Sequence, residues 1–339
     1  MKFTNTLQLL ATMAIVACNG AQASDDTSNV SSGVVVGDVI DINNFANPKY
    51  ANYQYQTYHS ETSSGTESCC DNVVFINVGT AMGVTSYQLL SQKIVEEDPN
   101  QSTVAIMIDN NAGFLKIVKT SSVDYIHLTN LISSDITGIL PECCLSQPKN
   151  GYLLGGHSAG GQAAVDAISE LAGPGPHDEE FEFTVAGYLG LSSYDVAKNP
   201  TDINVPSMSW DFDMMTCFVG PNHSGIPAYE GSETDNRILY EVHLEGLETA
   251  SGMHCAFTDD GCFTALVCGL NADQRPWIHQ AVGESVNKLF THVVGQPSFS
   301  KSDMELSSTG LPTTLYVNAD PAPSLDFAEA VQGLRTAQA

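Results

Sequence analysis

The chain has 339 residues, of which 42% are hydrophobic and 8% aromatic. That is enough apolar material to bury a sizeable core, at a length that suits one α/β domain with loops. Twelve Lys and Arg stand against 39 Asp and Glu, for a formal net charge of −27, which argues against nucleic acid and anionic membrane surfaces as partners.

The N-terminus has the features of an export signal. Lys2 supplies the positive start, Leu9 to Val16 is mostly apolar, and Ala21-Gln22-Ala23 offers a small-residue cleavage pattern. Residues 1–23 are therefore expected to be a signal peptide and the protein to be secreted. The apolar run is far short of the roughly 20 residues of a membrane-spanning helix, so no transmembrane anchor is expected. Ile15-Val16-Ala17-Cys18 also fits a bacterial lipoprotein signal, which would place a lipid anchor on Cys18. Of the nine cysteines, the eight beyond Cys18 are Cys69, Cys70, Cys143, Cys144, Cys217, Cys255, Cys262 and Cys268. An even number in an exported chain favours disulfides over metal ligation, and the doublets do not have zinc spacing. Sequons at Asn29, Asn100 and Asn222 would matter in a eukaryotic source.

Residues 24–54 are polar and lack a core pattern, so they are expected to form a flexible lead-in. From about residue 72, strand-like and helix-like blocks alternate. Val73 to Ile76 and Val104 to Ile108 are apolar, β-rich runs, as buried parallel strands are. Tyr87, Leu90 and Ile94 between them have helical spacing. A helical stretch spans about 121–138, and Gly151 to Leu154 makes a third strand. Gln162 to Leu171 predicts a helix ended by Gly173-Pro174-Gly175-Pro176. Three further strands are expected at Phe183 to Leu191, Val205 to Trp210 and Ile238 to Leu244. A last amphipathic helix covers Pro276 to Val294. Beyond 295 the chain is Ser/Thr/Pro-rich, with Leu315 to Val317 as an edge strand in what is otherwise a tail, 296–339. This alternation predicts an α/β fold, a mostly parallel central sheet with helices on both faces.

Between the third strand and its helix stands Gly156-His157-Ser158-Ala159-Gly160, a G-x-S-x-G pattern. On a sharp strand-to-helix turn this pattern exposes a serine hydroxyl at the sheet's carboxyl edge. The next amide, Ala159, then faces the place where an oxyanion would form. No Lys follows the glycines, which sets aside a phosphate-cradling loop.

In this strand order "GHSAGG" resembles the α/β-hydrolase superfamily over residues 55–295. The stretches "GPNHSGIPAYEGS" (220–232) and "SGMHCAF" (251–257) are similar to segments of secreted cutinase-like and polyester-hydrolase-like lipases. Chlorophyllase-type esterases share the elbow but differ at the histidine. The resemblance implies a serine esterase with an acyl-enzyme intermediate, acting as a monomer on a small-molecule or polymeric ester. It needs no cofactor or metal. Ser158 would be the nucleophile. In the fold's chain order of serine, acid and histidine, His254 is the base, with His223 as the alternative. The acid belongs after "VPSMSW", yet the family position falls on Thr216. Asp213 is placed first, Asp211 second and Asp195 third. The resemblance further implies Thr80 as the second oxyanion donor after Ala159, with Ala81 next. It puts Tyr194 in the acyl cleft, and a Cys217–Cys255 bridge between the acid and histidine loops. Because the acid is missing from its family position, a catalytically inactive binding module stays open as the alternative.

Overall fold

The computed structural model describes residues 33–42, 53–61, 70–79, 82–110, 122–134, 140–144, 147–172, 183–193, 203–212, 226–232, 235–243, 250–259, 275–307 and 313–318. The signal segment 1–23 with Cys18 lies outside these residues, as do Asn29, Asn222, His223 and Cys217.

Ten strands form one sheet. They are β1 (Val34–Val36), β2 (Ile40–Asp41), β3 (Tyr53–Ser60), β4 (Asn72–Asn77), β5 (Thr103–Asn110), β6 (Tyr152–His157), β7 (Val185–Leu191), β8 (Ser207–Phe212), β9 (Arg237–Val242) and β10 (Thr313–Val317). Their order across the sheet is β1-β3-β5-β4-β6-β7-β8-β9-β10, with β2 also paired to β3. The six strands β5-β4-β6-β7-β8-β9 are all parallel to one another. The strand β3 runs antiparallel to β5, and β10 antiparallel to β9.

The longer helices are α1 (Gln88–Glu96), α2 (Ser122–Ser134), α3 (Ala159–Ala172) and α5 (Arg275–Lys288). Two short helices, α4 (Ile226–Gly231) and α6 (Lys301–Met304), are also present. Alternation along each strand sends side chains to two cores. Val74 and Ile76 of β4 join Leu90 and Ile94 of α1 and Ile278 and Val282 of α5 on one face. Val73 and Phe75 join Tyr125 and Ile132 of α2 and Ala164 and Ile168 of α3 on the other. Burial on both faces is why β4 is apolar throughout its centre. Among the described residues no helix is long and apolar enough to cross a membrane.

The chain leaves β4 toward β5 and leaves β6 toward β7, so the carboxyl ends of β4 and β6 flank the point where the winding reverses. In an open α/β sheet this is where a binding crevice forms.

Several expectations change. Part of the stretch expected to be a lead-in is sheet: β1 and β2 pair with β3, and Ile42 is buried. Polar side chains of the neighbouring β3 are satisfied internally. Gln56 Nε2 donates to the Gly37 carbonyl at 2.9 Å, and Tyr58 Oη donates to Gln56 Oε1 at 2.8 Å. Part of the expected tail is core: Met304 is fully buried, and its carbonyl accepts the Tyr240 hydroxyl at 2.6 Å. The third strand does not stop at Leu154 but runs through both glycines to His157. Similarly β8 runs on to Phe212, so Asp211 is a buried strand residue and not a loop carboxylate.

One disulfide joins Cys70 to Cys144, 74 residues apart. Cys143 and Cys255 are also disulfide-bonded.

Candidate functional site

Ser158 occupies the single position between the end of β6 and the start of α3. Its φ is +54°, the left-handed region that non-glycine residues avoid unless their surroundings impose it. Here they do. The Ser158 amide donates to the Leu191 carbonyl of β7 at 3.1 Å, and its carbonyl accepts the Gly161 amide at 3.0 Å. The flanking glycines leave no choice of residue. A Cβ on Gly156 would lie 2.2 Å from the Gly160 carbonyl carbon, and one on Gly160 would lie 2.1 Å from the Asn77 oxygen. The helix therefore starts hard against the end of β4. Ala159 opens α3, so its amide is one of the first-turn donors that find no acceptor within the helix.

The loop leaving β4 closes over this turn. A Cβ on Gly79 would sit 2.9 Å from His157 Nδ1 and 3.3 Å from Ser158 Cβ. The Gly79 amide donates to Tyr87 Oη at 3.0 Å. Tyr87 Oη lies 2.8 Å from His157 Nδ1, and His157 Nε2 lies 2.7 Å from the His254 carbonyl oxygen. An amide can only donate and a carbonyl can only accept. His157 must therefore carry its proton on Nε2, and Nδ1 accepts the Tyr87 hydroxyl. Complete burial pushes the His157 pKa down to about 4, with its bond to the His254 backbone opposing the shift. The ring is neutral, as the chain of bonds requires. With the Gly79 amide taken by Tyr87, an oxyanion donor from this loop must come from further along. Thr80, the expected donor, and Ala81 lie outside the described residues.

His254 lies on a 3-10 turn, Ala250–Phe257, which comes after β9. Four anchors hold the turn. Its carbonyl takes the His157 bond. Thr258 returns both its amide and its hydroxyl to the Cys255 carbonyl, at 3.1 and 2.8 Å. His279 of α5 bonds the Ala256 carbonyl. Asp259 donates its amide to Ser86, while its carboxylate accepts the Leu89 amide at the start of α1 at 3.0 and 3.1 Å. A carboxylate there also meets the positive end of the helix.

The His254 ring packs on the His157 ring, centroids 4.7 Å apart. Its Nδ1 lies 2.8 Å from Ser192 Oγ. Among the described residues nothing bonds its Nε2, and no carboxylate bonds the ring. Burial, and secondarily the neighbouring His157, push its pKa well below the ordinary histidine value, so at neutral pH it is an uncharged base.

The structure thus sets His254 against His157, the residue before Ser158, and Ala159 directly after it at the start of α3, while no hydrogen bond joins Ser158 to His254. Asp211 accepts the Phe212 amide at 2.9 Å through Oδ1 and makes no bond to His254. Asp213, Asp195 and Tyr194 lie outside the described residues. Sequence reasoning missed Tyr87, Ser192 and Asp259, and gave His157 no role beyond its place in the G-x-S-x-G pattern. Tyr87 was visible only as a core position of a helix, and Ser192 as one serine after an apolar strand.

No family model matches the chain, and no curated protein matches it.

Proposed function

We propose that the protein is a serine hydrolase of carboxylic esters, of the α/β-hydrolase type. The observation that carries the reading is Ser158 at φ +54° on a strand–turn–helix corner, with a neutral buried His254 packed on the neighbouring His157. The nucleophile elbow needs that strained corner, and chain order puts the base after a late strand, as here. The position of the corner, where the winding of the sheet reverses, supports the same reading.

In the proposed reaction Ser158 Oγ bonds to the ester carbonyl carbon while its proton passes to His254 Nε2. The carbonyl π pair moves onto oxygen, where the Ala159 amide and a donor from the loop after Gly79, expected at Thr80, stabilise it. On collapse the bond to the alcohol oxygen breaks, and the Nε2 proton goes to the leaving alkoxide. Water then repeats the sequence on the acyl-enzyme, giving the free acid and restoring the Ser158 hydroxyl. The Cys70–Cys144 bridge supports export to an oxidising compartment.

A fluorophosphonate probe tests the assignment. It should label Ser158 in the wild type, fail on Ser158→Ala, and label His254→Ala slower by orders of magnitude. A wild type that stays unlabelled at Ser158 refutes the reading.

A further inference from the structure

We infer that the hydroxyl of Ser192 holds the base in position, in the seat a triad gives to a carboxylate. The inference rests on Ser158 and His254 being nucleophile and base. A base that works at Nε2 must carry its own proton on Nδ1, and the partner of Nδ1 is what fixes that tautomer and the ring's direction. Here the partner is Ser192 Oγ, at 2.8 Å. Nδ1–H donates and the hydroxyl oxygen accepts.

Three further features suit Ser192 to this role. It immediately follows β7, whose last residue, Leu191, takes the Ser158 amide on its carbonyl. Nucleophile and orienting group are thus fixed to adjacent peptide units. The Ser192 amide donates to the Trp210 carbonyl of β8 at 2.8 Å, which locks the residue from the other side. It is fully buried and has φ +42°. Among the described residues only Gln101 and Ser158 share a positive φ without being glycine. Strained backbone at a buried position persists only where the surroundings over-determine it, and such positions cluster at functional sites. Asp211, one residue past Trp210, spends Oδ1 on the Phe212 amide.

The chemistry of a hydroxyl differs from that of a carboxylate. It fixes the tautomer and the aim of the ring, but brings no full negative charge against the imidazolium that forms in the transition state. Ser192 is accordingly a positioning residue, and its loss should act on kcat.

The test compares Ser192→Ala, Asp213→Asn, Asp211→Asn and Asp195→Asn with the wild type on a soluble short-chain ester. Ser192→Gly is added because it removes the hydroxyl while relieving the backbone strain. Ser192→Ala and Ser192→Gly should each lower kcat about 100-fold with KM unchanged, the scale expected when a catalytic group loses its aim. If Ser192 is what holds Nδ1, the three Asp→Asn variants should stay within about threefold of wild type. Nitrogen-15 NMR of labelled histidines should show His254 as the Nδ1–H tautomer in the wild type, with that preference lost in Ser192→Ala. Ser192→Ala at wild-type kcat, or any Asp→Asn variant as impaired as Ser192→Ala, overturns the inference while leaving Ser158 as nucleophile. Recovery of activity in Ser192→Gly overturns it too, because a purely structural role would respond to relieved strain. A wild type unlabelled by fluorophosphonate at Ser158 instead overturns the reading on which the inference rests.

Discussion

His157→Leu is the most informative single perturbation of this architecture. The imidazole bridges the Tyr87 hydroxyl and the His254 carbonyl, and leucine leaves the carbonyl without a donor and the Tyr87 O–H without an acceptor, although Tyr87 Oη still accepts the Gly79 amide. Each buried orphan costs about 1–3 kcal/mol, so the variant should lose about 4 kcal/mol at neutral pH. The effect should depend on pH in a definite direction. Burial lowers the His157 pKa from 6.5 to about 4. A depressed histidine contributes stability that is fully present above its unfolded value and is lost as pH falls through the folded one. At about 1.4 kcal/mol per pH interval, roughly 3 kcal/mol of the wild-type advantage should be gone near pH 4. Leucine has no such linkage, so the gap between the two proteins should close from about 4 to about 1 kcal/mol. Urea unfolding near pH 7.5 and near pH 4 reads this gap. Both proteins should carry His254→Gln, because His254 is held neutral by the same burial and would otherwise add its own titration. A gap that stays constant across this window would show that His157 is not the neutral bridge described, and the tautomer argument would fail with it.

Four other outcomes follow from the packing and burial. Gly160→Ala should cost more than about 3 kcal/mol or abolish folding, because its Cβ would meet the backbone oxygens of Asn77 and Val78 at 2.1 and 2.6 Å. Gly83→Ala, whose nearest neighbour is Thr85 Oγ1 at 3.9 Å, should melt close to wild type. Replacing Cys70 and Cys144 together by serine opens a loop spanning 74 residues and should cost about 4 kcal/mol in urea unfolding; no loss would show the bridge to be dispensable. Burial raises the Asp109 carboxyl from 3.8 to about 7, so its ionisation works against the folded state as pH rises through that range. Asp109→Asn should therefore be more stable than wild type near pH 8, by at most about 4 kcal/mol, and equal to it near pH 3. The opposite order near pH 8 would mean that the carboxylate is better solvated than its burial indicates.

What was legible in the sequence follows from what each element has to bury. The strands β4 and β5 lie between two covered faces, so Val73 to Ile76 and Val104 to Ile108 had to be apolar without a break. In contrast, β3 is the polar-looking string YQYQTYHS. It pairs with β1, β2 and β5, and its Gln56 is buried by bonding to Gly37 and Tyr58. No strand was expected there, because the string looks polar and the partner strands that place it, with the Gly37 carbonyl that Gln56 bonds, are not its sequence neighbours. The elbow was legible for the opposite reason. The contacts of Gly156 and Gly160 leave no room for a side chain, so the constraint is written in the residue types themselves.

The two histidines beside Ser158 show where sequence gives out and hydrogen-bond accounting takes over. His157 is the nearer in the chain and His254 is distant, and only the chain order of the resemblance favoured the second. The structure supplies an independent reason. Both ring nitrogens of His157 are committed, one to a hydroxyl donor and one to a carbonyl acceptor. It cannot take a proton without breaking the bond from Tyr87, and burial resists the charge. His254 commits Nδ1 alone, and among the described residues its Nε2 is not engaged. Equal burial thus gives the two rings opposite work: the first fixes the position of the second, and the second keeps a nitrogen for the serine proton. The same accounting explains why the partner of Nδ1 was not foreseen. A carboxylate has a sequence signature because a charged residue beside an apolar strand stands out. A serine at the end of an apolar strand has none, and only its φ of +42° and its hydroxyl at 2.8 Å reveal its role.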